Sequence, residues 1–118
     1  MTEQELLDEC FDKLERDGIV ARQNFTCCQS CGLEDIRDEM AEMEAEGTKV
    51  RGFVFYHDQD AKDAAEGRGL HLTYGSTSDD EAEDLKIGRR VVEELQSWKF
   101  KSTWDGKISS RIHVEVAL

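Results

Sequence analysis

Residues 50–57 constrain the fold of this chain more than any other segment. Val54 and Tyr56 face one side of a strand in this segment, and Phe53 and Phe55 face the other side. Because both faces are apolar, the pattern predicts an interior strand that is covered on both sides. The rest of the chain must supply the neighbouring strands and the covering layers.

Helical and strand patterns alternate along the sequence. Apolar residues at helical spacing predict four helices, over residues 2–18, 33–47, 58–67 and 78–95. Capping-box patterns open the first at Thr2–Glu5 and the fourth at Ser78–Glu81. Period-two and β-branched segments predict strands over residues 19–25, 50–57 and 70–74, followed by a hairpin over 98–118.

This order of elements predicts an α+β domain over residues 1–118. It fits best a two-layer sandwich, ferredoxin-like or a related mixed sheet of about five strands, with an added N-terminal helix and a C-terminal hairpin. The alternative is a small mixed sheet with helices on both faces, which the doubly apolar strand favours.

The C-terminal hairpin contains an Asp105-Gly106 turn signal. A two-residue loop would place Trp104 opposite Lys107, an aromatic ring against a charge. A three-residue loop pairs Trp104 with Ile108, Phe100 with Ile112 and Trp98 with Val114. Because a one-residue shift moves every side chain to the other face, burial favours the three-residue loop.

Charge and hydropathy exclude several function classes. The chain has 27 acidic and 15 basic residues, a formal charge of -12 that repels phosphate backbones, so we expect no nucleic-acid partner. It has no apolar run of membrane-spanning length and no signal peptide, so we expect a cytoplasmic protein with reduced thiols and no membrane contact. The partner is then an unidentified protein or small molecule.

Three of the four cysteines, Cys27, Cys28 and Cys31, lie within five residues and are followed by Gly32. A continuous helix from Thr26 would place these thiols on its wet face, which is unusual for so buried a residue type. A tight turn over residues 27–32, with Gly32 at positive φ and the helix starting at Leu33, avoids the conflict. The fourth cysteine, Cys10, lies in the apolar stripe of the first helix, and we expect it to be buried and unpaired.

The cysteine segment allows three interpretations. Cys28 and Cys31 have the spacing of a zinc knuckle, and Cys27 adds a third thiolate. Parallel first and second strands would bring His57 to the same sheet edge, which gives a possible Cys₃His zinc site; His71, His113 or a carboxylate are other sources of ligands. The same spacing at a helix start also fits a redox dithiol, although the absence of proline argues against a thioredoxin-type enzyme. The third interpretation is packing alone.

The segment that follows the second strand is a weaker candidate site. His57, Asp58 and Asp60 are residue types that carry out acid–base chemistry. The simpler interpretation is that Asp58 or Asp60 caps the short helix.

Three segments carry a resemblance to a known family. They are Arg22-Gln23-Asn24-Phe25-Thr26-Cys27-Cys28-Gln29-Ser30-Cys31-Gly32, then Gly52-Phe53-Val54-Phe55 with His57, Gln59 and Asp60, then residues 70–75. They resemble a family of uncharacterised bacterial proteins with an N-F-T-C-C-Q-x-C-G motif. The resemblance implies a bacterial, stand-alone domain whose cysteine segment is a hallmark of the family, and it implies no activity.

Taken together, these patterns predict a small cytoplasmic binding or accessory domain without catalytic activity, whose cysteine turn is structural or binds metal. The alternative is a thiol-dependent redox enzyme or redox sensor that uses the Cys28/Cys31 dithiol.

Overall fold

The computed structural model describes residues 2–78 and 80–118. Within these residues the chain forms four helices and five strands. In chain order they are α1 (Glu3–Arg16), β1 (Ile19–Arg22), α2 (Gln29–Ala45), β2 (Gly52–Phe55), α3 (Asp58–Ala65), β3 (Leu70–Ser76), α4 (Glu81–Ser97), β4 (Lys101–Thr103) and β5 (Ile112–Glu115). The α+β class and the sheet of five strands are confirmed.

The sheet is mixed and has the strand order β1-β2-β3-β5-β4. β1 and β2 are parallel, with Val20 opposite Phe53, and every other neighbouring pair is antiparallel. A parallel pair needs a crossover connection, which α2 supplies. The C-terminal ends of β1 and β2 therefore meet at one edge, as predicted: the Phe25 N–H donates to the Tyr56 carbonyl at 2.8 Å.

Helices cover both faces of this sheet. On one face, α1 and α4 pack against Val54 and its neighbours; on the other, α2 packs against Val20, Phe53 and Phe55. Phe53 and Phe55 are almost completely buried, and each contributes about 1.5–3 kcal/mol by leaving water. A two-layer sandwich would expose them, so the ferredoxin-like arrangement is not confirmed and the helices follow the alternative that the sequence left open.

The helix starts follow from local hydrogen bonds. Thr2 Oγ1 accepts from the Glu5 N–H at 3.1 Å, and the Thr2 N–H donates to Glu5 Oε1 at 3.2 Å, which confirms the first capping box. The second predicted capping box, at 78–81, includes Asp79, which lies outside the described residues. There the N-cap is Asp80, whose Oδ1 accepts from the Ala82 N–H at 2.9 Å, so α4 begins two residues later than predicted.

The C-terminal hairpin differs from its prediction. Ser102 lies opposite Val114, so residues 104–111 form the connection and the three-residue loop is wrong. The reason is non-local: the Trp104 ring packs edge-on against Tyr74 at a centroid distance of 5.4 Å and lies against Gly88 of α4. The observed pairing of β4 with β5 is shifted from the predicted pairing by an even number of residues. The side chains that were predicted to be buried therefore still face the core.

None of the described helices has the length and apolar character needed to cross a bilayer.

Candidate functional site

The segment between β1 and α2 reverses the chain within a few residues. Asn24 and Thr26 both have positive φ, 49° and 64°. This conformation is tolerated by Asn but strained for a β-branched residue such as Thr, and such strain is often retained at functional sites. Thr26 Oγ1 donates to the Cys28 carbonyl at 3.0 Å, and Phe25 packs edge-on against Phe55. The contact between Phe25 and Phe55 thus holds the bend against the sheet.

Helix α2 begins directly after this bend, at Gln29, with Cys28 as its extended N-cap residue. The predicted tight turn over 27–32 is therefore wrong, because Cys31 and Gly32 are helical. Gly32 has a role other than positive φ: a Cβ there would lie 2.4 Å from Phe55 Cε2. The glycine lets the first turn of α2 approach the sheet.

The cysteines occupy the face that the sequence argument considered unfavourable. Cys27 and Cys31 are exposed and Cys28 is half-buried, while Ile36 and Met40 face the sheet. Because the thiols of Cys27 and Cys31 are exposed, packing in the core does not explain why these cysteines lie together. Cys10, in contrast, is fully buried and unpaired as predicted, and burial raises its pKa to about 12.

The three thiols of Cys27, Cys28 and Cys31 converge. Their Sγ atoms all lie within 4.8 Å of one another, although Cys27 and Cys28 are neighbours in sequence. Around tetrahedral zinc, with Zn–S bonds of about 2.3 Å, sulfur atoms are about 3.8 Å apart. Rotations about the Cα–Cβ bonds close so small a difference, so these residues can supply three ligands to one soft metal ion.

His57 does not belong to this cluster. It is the N-cap of α3: its Nδ1 accepts from the Asp60 N–H at 3.4 Å, and its own N–H donates to Asp60 Oδ2 at 3.1 Å. The parallel strands do bring the backbones together, since the Asp58 N–H donates to the Thr26 carbonyl at 3.0 Å. The imidazole would have to leave its cap to reach a metal, and the complete Cys₃His set stays a prediction.

The remaining histidines lie elsewhere. His71 on β3 and His113 on β5 are directly opposite each other, with ring centroids 4.9 Å apart. His113 Nε2 is also 2.9 Å from the Arg68 carbonyl. Neither belongs to the group of metal-ligating atoms formed by the cysteines in the described part of the chain.

A family model described as "Domain of unknown function (DUF6891)" matches residues 1–117. The chain belongs to this family. A search of curated proteins gave no match, and a search of solved structures gave none. Membership in DUF6891 specifies no chemistry, so the function has to be argued from the site itself.

The three thiols of this DUF6891 domain are electrostatically unequal. The pKa of Cys28 is lowered to about 6, chiefly by the Cys31 backbone N–H and then by the Ser30 hydroxyl, which lies 3.5 Å from its Sγ. The pKa of Cys31 is raised to about 11 by the thiols of Cys28 and Cys27. Cys28 is therefore the more acidic thiol of the pair and Cys31 the less acidic one.

Sequence reasoning missed two contributors to this edge of the sheet. Ser30 is one of them. Its position between Cys28 and Cys31 was the feature of the sequence from which a contact with a cysteine could have been predicted. Arg111 is the other: it donates to Asp60 Oδ2 at 2.6 Å and holds the α3 cap from the far end of the chain. The predicted cap is confirmed in part, since Asp60 completes a capping box whose N-cap is His57. No pattern in the neighbouring sequence predicts that Arg111 binds Asp60.

Proposed function

We propose that the DUF6891 domain is a small accessory domain that binds a soft metal ion, zinc in the first instance, through Cys27, Cys28 and Cys31. The observation that carries the proposal is the convergence of three Sγ atoms, two of them in exposed residues, within 4.8 Å at the start of α2. Zinc binds cysteine as the thiolate, and the lowered pKa of Cys28 favours that form. We further propose a cytoplasmic location, where such thiols stay reduced, and an unidentified protein or small molecule as partner.

The exposure of the site favours an open metal centre over a structural one. Three protein ligands leave a fourth position for water or for a side chain of a partner, whereas structural zinc sites are closed by four ligands. The larger core, on the α1 and α4 side of the sheet, is built from apolar side chains distant in sequence from the cysteine cluster, such as Leu7, Val91 and Leu95. We therefore expect the protein to fold without metal, and zinc to raise its melting temperature only by the free energy of binding to the folded state.

A zinc titration of the reduced protein, purified without a histidine tag and monitored with a competing chromophoric chelator, tests this proposal. We expect about one equivalent bound, and a loss of affinity of about tenfold or more in Cys27→Ser and Cys31→Ser. Cys10→Ala is the matched control, because this buried thiol lies outside the cluster. Binding of less than about a tenth of an equivalent by fully reduced protein would overturn the proposal.

The same residues support a second candidate function, thiol–disulfide exchange. Cys28 is the N-cap of α2 with a lowered pKa, and Cys31 lies one turn further on with a raised pKa. The Cys28 thiolate would attack a substrate disulfide and release one substrate thiolate, which takes up a proton. Cys31, once deprotonated, would then attack the mixed disulfide. The products are a Cys28–Cys31 disulfide and two substrate thiols, a transfer of two electrons.

Equilibration in glutathione buffers separates the two functions. Exchange chemistry predicts a Cys28–Cys31 disulfide with a reduction potential between about −270 and −120 mV, the range of thiol oxidoreductases. Cys10→Ala again serves as the control. A protein whose cluster stays reduced across that range, and which binds zinc, supports metal binding alone.

A further inference from the structure

A groove lies on the α2 side of the sheet, next to the part of β3 that α2 leaves uncovered. It encloses a cavity of about 330 Å³. This volume is at the lower end of the range for small-molecule sites, which is about 300–1,000 Å³. The residues that matter for its chemistry are Leu33, Arg37, Thr73, Ile108, Ser110 and Arg111.

Two of the residues that line this groove each carry a buried polar atom without a hydrogen-bond partner among the described residues. These atoms are Thr73 Oγ1 and Arg111 Nε. Thr73 as a whole is only 5 % exposed. Buried polar groups are nearly always paired, because an unpaired one has lost its bonds to water without replacement. A guanidinium N–H donates and a hydroxyl can donate or accept, so a single acceptor group held between these two residues would satisfy both.

Charges at the groove favour an anionic acceptor. Arg111 is fixed in place, because its terminal nitrogens bind Asp60 at 2.6 and 3.2 Å and also the His71 carbonyl, while its Nε has no partner among the described residues. Arg37 is exposed and forms no ion pair within the described ranges. Among the described residues, the acidic side chain in the groove lining is that of Asp84, whose Oδ1 accepts from the Ser76 N–H and Oγ at 2.7 and 2.6 Å.

Two large apolar side chains also line the groove. Leu33 packs onto the core beneath α2, and Ile108, a large apolar side chain, is 40 % exposed. We propose that this groove binds a small organic anion. Its carboxylate or phosphate group accepts hydrogen bonds from Thr73 and Arg111, and its apolar part rests on Leu33 and Ile108. Gln29, next to Cys28, also lines the groove, but anion binding there does not require a metal and remains if the metal proposal fails.

An NMR titration of the ¹⁵N-labelled protein tests the proposal with benzoate, phenyl phosphate and neutral benzyl alcohol as probes. We expect saturable shifts of the Thr73, Ser110 and Arg111 amides with at least one anion, and weaker binding of the alcohol. Comparison of benzoate with phenyl phosphate identifies the preferred head group. Thr73→Val should weaken anion binding about tenfold, because hydrogen bonds to charged groups are the strong ones. It should fold normally, since it removes a hydroxyl that has no partner.

Two arginine variants complete the test. Arg37→Gln should weaken anion binding several-fold through loss of charge, while Arg16→Gln, an equal charge change on α1 across the sheet, should leave it unchanged. The proposal is overturned if benzyl alcohol binds as well as the anions, or if Thr73→Val binds them like the unaltered protein. Shifts confined to other surfaces, or none at about 10 mM probe, also overturn it.

Discussion

Gly32→Ala links the packing of the fold to the position of the thiols. The new methyl group would lie 2.4 Å from Cε2 and 2.7 Å from Cζ of Phe55. That ring is fully buried and is held by Phe25 and Phe53 at centroid distances of 5.8 and 6.0 Å, so it has little room to move. Overpacking costs about 3 kcal/mol at the severe end, and replacing a helical glycine by alanine regains about 1 kcal/mol. We expect a net destabilisation of about 2 kcal/mol.

Urea unfolding, followed by circular dichroism, measures this loss as a lower midpoint at constant slope. The matched experiment introduces Gly32→Ala into a Phe55→Leu background, where the smaller side chain leaves room for the methyl group. There the loss should shrink by at least about 1 kcal/mol, an interaction energy typical of residues in contact. A Gly32→Ala protein that is as stable as the original or more so, with the same effect in both backgrounds, would refute the packing argument.

Three further predictions concern individual side chains. The rate at which iodoacetamide alkylates Cys28 should rise with pH with a midpoint near pH 6, because the reactive thiolate is lost as the pH falls through its lowered pKa. Cys31 should stay unreactive until far more alkaline pH, and a midpoint near 9 for Cys28 would contradict this prediction. Asp60→Asn should lower the free energy of unfolding by about 1–3 kcal/mol in urea, less than for a fully buried pair because the Arg111 side chain is 26 % exposed; no change would contradict this. Thr73→Val should raise the free energy of unfolding by up to about 1 kcal/mol by removing an unpaired hydroxyl, and a loss of stability would show that the hydroxyl has a partner.

Local patterns predicted the parts of the fold that local physics determines. The capping box at Thr2 and the apolar stripe around Cys10 involve neighbours within two helical turns, and both are confirmed. The doubly apolar strand around Phe53 correctly indicated cover on both sides, because a strand shows its two faces by simple alternation. The position of α2 on the second face follows from this pattern. The preferred two-layer interpretation left that face uncovered.

The errors arose where contacts distant in sequence decide the outcome. Gly32 has the residue type of a turn, but its real constraint is the Phe55 ring on another element. Trp104 leaves the hairpin ladder because it packs on Tyr74 and Gly88. His57 lies at the predicted sheet edge, yet its side chain is held in a cap with Asp60, which is in turn bound by Arg111. These partners are not visible in any short window of sequence.

X-ray absorption at the zinc edge of the reduced, zinc-loaded protein tests the central claim most directly, because it counts the atoms bound to the metal. Three sulfur atoms at about 2.3 Å and one lighter atom at about 2.0 Å are expected from Cys27, Cys28 and Cys31. Loss of one sulfur in Cys31→Ser, with none lost in Cys10→Ala, would assign the ligands. A first shell with fewer than three sulfur atoms, or a protein that retains no zinc after desalting, would contradict the assignment of this cluster as a metal site.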